Sequence, residues 1–211
     1  MSNATTLIPP HTITSEAELD ALYAAPTAPS VAKEIVRLNA PYRAMIEASP
    51  FCTLASIGPQ GLDASPRGDG AGFVQVVDDW TLALPDRRGN NRIDTLRNVV
   101  RDPRVALLFL IPGCNETLRV NGRARISTDP DLLASFAVDG KAPVTVLVIA
   151  IDAVFFQCGR AVLRSGLWSP EAHVDRSTLP SAGAMLRATS EDFDAEGYDR
   201  ALPARQRATL Y

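Results

Sequence analysis

From Phe51 to Phe156 the sequence is a succession of short β-like runs broken by turn residues, with few helical stretches between them. The runs are Phe51–Ile57, Leu62–Ser65, Gly72–Val77, Trp80–Leu84, Arg104–Ile111, Thr117–Ser127 and Val144–Phe156. A parallel sheet needs a long crossover, usually a helix, between successive strands. Here Gly58-Pro59-Gln60-Gly61, Asp78-Asp79 and Pro112-Gly113-Cys114-Asn115 leave room only for tight turns. The pattern therefore predicts a mainly β fold of six or seven antiparallel strands, closed as a barrel or stacked as a sandwich, with helices at its edges.

The helical signals flank or interrupt this body. Ser15-Glu16-Ala17-Glu18 has the spacing of a capping box and predicts a short helix to about Tyr23. Val31, Ile35, Val36 and Leu38 mark one apolar face of a second helix, and a third follows Pro41 through Met45 and Ile46. A helix is expected from Asn91 to about Arg101, with Ile93, Leu96, Val99 and Val100 on its apolar side and Asp102-Pro103 as its stop. Asp129-Pro130 reads as an N-cap and first helical position. Residues 1–14 are polar and proline-bearing, a loose arm or a strap on a partner subunit, and the tail after Pro180 carries weak helix signals.

At 211 residues, 46% apolar and net charge -3, the chain suits one soluble domain with extensions. Without a bulk basic surface, nucleic acid is not an expected partner. No apolar stretch is long enough to predict a membrane helix, and the start lacks a signal-peptide pattern. Cys52, Cys114 and Cys158 form no C-x-x-C pair, which predicts free, buried thiols and a cytoplasmic location. His11 and His173 are isolated, so neither a nucleophile–histidine engine nor a metal site is expected.

Two basic, glycine-containing turns stand out against that background. Ser65-Pro66-Arg67-Gly68-Asp69-Gly70 ends one strand, and Asp86-Arg87-Arg88-Gly89-Asn90-Asn91-Arg92 joins another to the helix that follows. A strand–loop–helix junction with arginine forks suits a phosphate group. Other readings remain open: the arginines as a solvated loop, Asn90 or Asn91 as a plain helix cap, and Arg67 as an ion-pair partner of Asp69. With no nucleophile or base in view, a bound cofactor is the simplest source of reactivity.

These two turns in this order resemble the pyridoxamine 5′-phosphate oxidase-like flavoproteins, which are FMN-binding split β-barrels. Phe155-Phe156-Gln157-Cys158-Gly159-Arg160-Ala161-Val162-Leu163-Arg164-Ser165-Gly166-Leu167-Trp168 is similar to a motif of one branch of that family. The likeness spans about residues 45–170, which marks 1–44 as an N-terminal arm with helices, 45–170 as the FMN-binding split barrel and 171–211 as a C-terminal extension.

By that resemblance, Arg67, Arg88, Asn90, Asn91 and Arg92 hold the FMN phosphate, Gly68 and Asp69 run along the flavin edge, and Asp86 faces the ribityl chain. Arg164 and Trp168 approach from the partner subunit of a homodimer, with Glu116 and Arg119 as further candidates for that wall. On the residues alone, Trp168 also suits a core or interface anchor, and Cys158 a buried small hydrophobe. The lysine-bearing phosphate signature and the arginine–histidine arrangement of the vitamin B6 enzyme have no counterpart here. The implied function is an FMN-dependent oxidoreductase acting on another small molecule; the alternatives are a non-catalytic flavin- or haem-binding protein and a reductase using the deazaflavin F420. No catalytic residue is singled out.

Overall fold

A computed structural model describes residues 11–211, so most of the N-terminal arm expected over 1–14 lies outside the described residues. The chain separates into two units, one up to Glu34 and one from Ile35 on. The first carries α1 (Glu16–Asp20) and α2 (Ala28–Ala32). The capping box is as expected: the Ser15 hydroxyl accepts from the Glu18 N–H while the Glu18 carboxylate accepts from the Ser15 N–H.

The second unit begins where a helix was expected to continue. Ile35 instead makes an antiparallel bridge with Val154, donating its N–H at 3.0 Å and accepting from the Val154 N–H at 2.8 Å. Strand-like pairing has replaced the helical bonds that the apolar spacing suggested, and Leu38 is buried beyond it. Next come α3 (Ala40–Ala48), β1 (Phe51–Gly58), β2 (Gly61–Gly68), β3 (Gln75–Asp78) and β4 (Thr81–Pro85). They are followed by α4 (Asp94–Arg101), β5 (Arg104–Leu110), β6 (Thr117–Ser127), α5 (Pro130–Ser135) and β7 (Val146–Gln157). Helices α6 (Arg160–Ser165), α7 (Ala182–Arg187) and α8 (Ala195–Ala208) complete the unit.

All seven strands form one antiparallel sheet in the order β2-β1-β5-β6-β7-β4-β3. The edge strands β2 and β3 do not pair with each other, so this is a split barrel that hydrogen bonds leave open. The period-2 pattern sets its inner face. Leu54, Leu107, Val120 and Val154 lie side by side across four strands in register, all buried. From α3, Tyr42 and Ile46 join the same core, together with Leu82, Leu84, Phe109, Leu118 and Ile149. Each such side chain contributes about 1.5–3 kcal/mol by burial.

Helix α4 is docked by polar contacts as well as by Val99. Asn98 Nδ2 donates to Ser56 Oγ at 3.1 Å and to Asp63 Oδ2 at 3.5 Å, and the Ser65 and Thr95 hydroxyls lie 3.2 Å apart. Gly58 leaves the space that the Asn98 amide fills, since a Cβ there would lie 2.8 Å from its oxygen. These bonds fix the start of α4 beside the end of β2, where both basic turns meet.

Several local expectations need correction. Helix α4 starts at Asp94 rather than Asn91, because Asn91 (φ 59°) and Ile93 (φ 51°) are left-handed and break the helical backbone. Neither Asn90 nor Asn91 caps it. Val100 is exposed, as is Ile93, so the apolar stripe is narrower than the sequence suggests. Of the three free thiols only Cys52 is fully buried; Cys158 is exposed.

A β-bulge between Asn121 and Gly122 brings the β6 backbone hard against β7. A Cβ at Gly122 would run into the Ala150 carbonyl and the Ile149 side chain. Gly122→Ala is therefore expected to lower unfolding stability by about 1–3 kcal/mol in urea titration, as overpacked sites do.

Candidate active site

The second basic turn, with Ser65, Pro66 and Arg67 of the first, lines one cleft of about 830 Å³, within the range usual for small-molecule sites; Gly68 and Asp69 are not among its lining residues. Alternate residues of β2, namely Asp63, Ser65 and Arg67, supply one side. Asp86 and the loop from Arg87 to Ile93 supply a second, with Asp94, Thr95 and Leu96 from the first turn of α4. Lys141 to Val144 and Tyr211 supply the third.

The arginines of this cleft are in different electrostatic states. Arg87 is drawn inward: its Nε donates to Asp69 Oδ2 and its Nη1 to the Phe136 carbonyl, both at 2.7 Å. The Arg87 and Asp69 side chains are only 17% and 8% exposed, so little water screens the pair. Arg92 instead pairs with Asp94 at 2.7 Å out in solvent, where an ion pair is weak. Arg88 is exposed at the rim and belongs to no ion pair among the described residues.

Arg67 differs again. Its Nη1 donates to the Pro66 carbonyl at 3.2 Å, but its Nε is buried with no hydrogen-bond partner among the described residues. Buried donors are almost always paired, so an orphaned guanidinium N–H on a cleft wall marks a place for an acceptor. Arg67 does not pair with Asp69, because Arg87 occupies that carboxylate.

Charge on the carboxylates follows from these contacts. Burial pushes the Asp86 carboxyl above its ordinary value, and the Arg67 charge only partly opposes this. Burial also pushes Asp69 up, but hydrogen bonds from Tyr211, the Gly70 N–H and Arg87 outweigh it and leave the group below its usual 3.8. On β1, opposite Arg67, burial drives the Cys52 thiol up to about 12, so it is no nucleophile at neutral pH.

The loop backbone is shaped for the cleft. Asn90 Oδ1 accepts from the Arg92 N–H at 3.1 Å, a side-chain turn that holds Asn91 left-handed between them. Ile93 in the same region is strained, since a β-branched residue clashes there; such strain concentrates at ligand sites.

The structure thus brings Arg67, Asp86, Arg88, Asn90, Asn91 and Arg92 together in the cleft wall. Gly68 follows Arg67 on β2, and Asp69 is tied to the wall through Arg87 and Tyr211. Arg164 and Trp168 do not line this cleft within the same chain. Arg164 is exposed on α6, and the Trp168 indole donates to the Cys114 carbonyl at 2.7 Å. Arg119 lies over the Phe155 ring at 5.3 Å, and Glu116 sits beside Cys114. Sequence reasoning missed Lys141 and Tyr211. Lys141 is one of only two lysines, a signal of a kind, whereas nothing local distinguishes Tyr211.

Comparison with known proteins decides the family. The model of the pyridoxamine 5′-phosphate oxidase family matches residues 38–158, more than half of the chain. The chain belongs to that family. Its match runs from Leu38 to Cys158 and so includes both basic turns and every strand. No curated protein sequence matches it.

Among solved structures, the family member is similar to HupZ of Group A Streptococcus, at 16% identity over 57% of this chain and 94% of that one (TM-score 0.47). It is also similar to an F420 reductase, at 18% identity over 57% and 98% of the two chains (TM-score 0.41). A third is general stress protein 26 of Bacillus anthracis, at 16% identity over 54% and 88% (TM-score 0.41).

Arg87→Met leaves Asp69 buried without its cation and is expected to cost about 3–5 kcal/mol of stability near neutral pH. A carboxylate depressed on folding stabilises above its unfolded pKa, and that contribution is lost as pH falls through the folded value. The deficit of the variant should therefore shrink in denaturant titrations carried from about pH 7 down to about pH 3.

Proposed function

We propose that this family member is an FMN-dependent oxidoreductase acting on a small molecule, a cytoplasmic homodimer with the flavin at the subunit interface. The observation that carries the reading is the orphaned, buried Arg67 Nε on the cleft wall, with Arg88 in the same lining and in no ion pair among the described residues. A phosphate offers several strong acceptors, and the donor set fits it. Arg67 and Arg88, with Asn90, Asn91 and Arg92, hold that phosphate. Arg92 exchanges its exposed bond with Asp94 for it at little cost.

Gly68 and Asp69 lie along the flavin edge, and Asp86 faces the ribityl chain. Arg164 and Trp168 of the partner subunit complete the wall. The flavin, when bound, supplies the hydride and electron transfer. The protein binds and orients it, contributes positive charge, and excludes water. The free thiols fit a reducing compartment, and no helix among the described residues is long and apolar enough to cross a membrane.

The purified protein is expected to be yellow, or to take up FMN on titration with quenching of flavin fluorescence. Mass spectrometry of any released chromophore should give FMN; F420 or haem, or a colourless protein that takes up no FMN on titration, would overturn the reading. Arg67→Ala should weaken FMN binding by about 1–3 kcal/mol, the worth of a hydrogen bond to a charged group, and unchanged affinity would put the phosphate elsewhere.

A further inference from the structure

Tyr211 joins three walls of the cleft at once. Its hydroxyl donates to Asp69 Oδ1 at 2.6 Å, in the turn after β2. The Arg87 guanidinium, from the loop after β4, lies 5.5 Å from its ring centroid, within reach of a cation–π contact. Its carbonyl accepts from Lys141 Nζ at 3.3 Å, in the connection before β7. With Gly70 N–H on Oδ1 at 2.8 Å and Arg87 on Oδ2, both oxygens of the Asp69 carboxylate are engaged.

The charged and titratable groups around this carboxylate come from each neighbouring stretch. They are Arg87 after β4 and Tyr211 after α8, with Asp139 and Lys141 before β7 acting on Tyr211 and with Arg67 and Asp86 on the adjoining cleft wall. Among the described residues, only Arg87 and Tyr211 bond to it through side chains.

We propose that Tyr211 is a positioning residue of the cofactor cleft: its hydroxyl and ring fix the Asp69–Arg87 pair so that the loop after β4 presents Arg88 to a phosphate-bearing ligand. The ligand's identity rests on the flavin reading; the clamp itself rests on the three contacts. Without the phenol, Asp69 loses one of the donors that keep it ionised in a buried setting. It then takes up a proton at higher pH, Arg87 loses its counter-charge, and the loop relaxes.

Tyr211→Phe keeps the ring and removes the hydroxyl, whereas Tyr211→Ala removes both. Two measurements separate the outcomes: FMN affinity as a function of pH, and the acid unfolding midpoint of the cofactor-free protein. Tyr211→Phe is expected to loosen FMN about three- to tenfold and to move the acid limb of binding to higher pH, with Tyr211→Ala looser still. The cofactor-free acid midpoint should shift in the same direction, because the depressed Asp69 stabilises the fold only where it is ionised.

An affinity, acid limb and midpoint like those of the unaltered protein would overturn the proposal. So would a uniform loss of affinity with the acid limb and midpoint unmoved, which marks simple packing. A shifted midpoint in a protein that binds no FMN before or after substitution would uphold the clamp and sink the flavin reading instead.

Discussion

Arg87 turns back from the loop after β4 to the turn after β2, and the geometry of the cleft depends on that ion pair. The two basic turns lie on β2 and after β4, strands far apart in the sheet order. Nothing in the β-ladder joins them. A guanidinium and a carboxylate shielded from water do so, each with further hydrogen bonds that make the burial tolerable. Because Arg87 satisfies Asp69, Arg67 is left with a buried, unused donor. One arginine builds the site so that another can bind in it.

The same logic separates structural from available charge along the loop. Arg87 is consumed inward, Arg92 is held loosely by Asp94 in solvent, and Arg88 forms no ion pair among the described residues. A count of positive residues would treat the three alike. Burial and partners rank them: the first is a strut, while the other two can be recruited by a ligand without leaving an unpaired group in the interior.

The strands were legible because period-2 alternation and tight turns leave a chain little freedom. The capping box at Ser15 and the N-cap at Asp129 were legible for the same local reason. The register that sets Leu54, Leu107, Val120 and Val154 side by side was not legible, because it depends on pairing between strands and β5 and β7 are nearly all apolar. Nor was Ile35, since its helical spacing yielded to a bridge with Val154, more than a hundred residues away. The start of α4 was misplaced because Asn91 and Ile93 adopt left-handed backbone, which side-chain pattern does not encode for isoleucine. Tyr211 was invisible, as its partner Asp69 is 142 residues distant.

The central claim is that this cleft recognises a phosphate through Arg67 and its neighbours. The most direct measurement is the affinity of the purified protein for FMN against riboflavin, which differ only by the phosphate. Tighter binding of FMN by at least about tenfold is expected, the equivalent of one charge-assisted hydrogen bond. Equal affinity for the two would contradict the account.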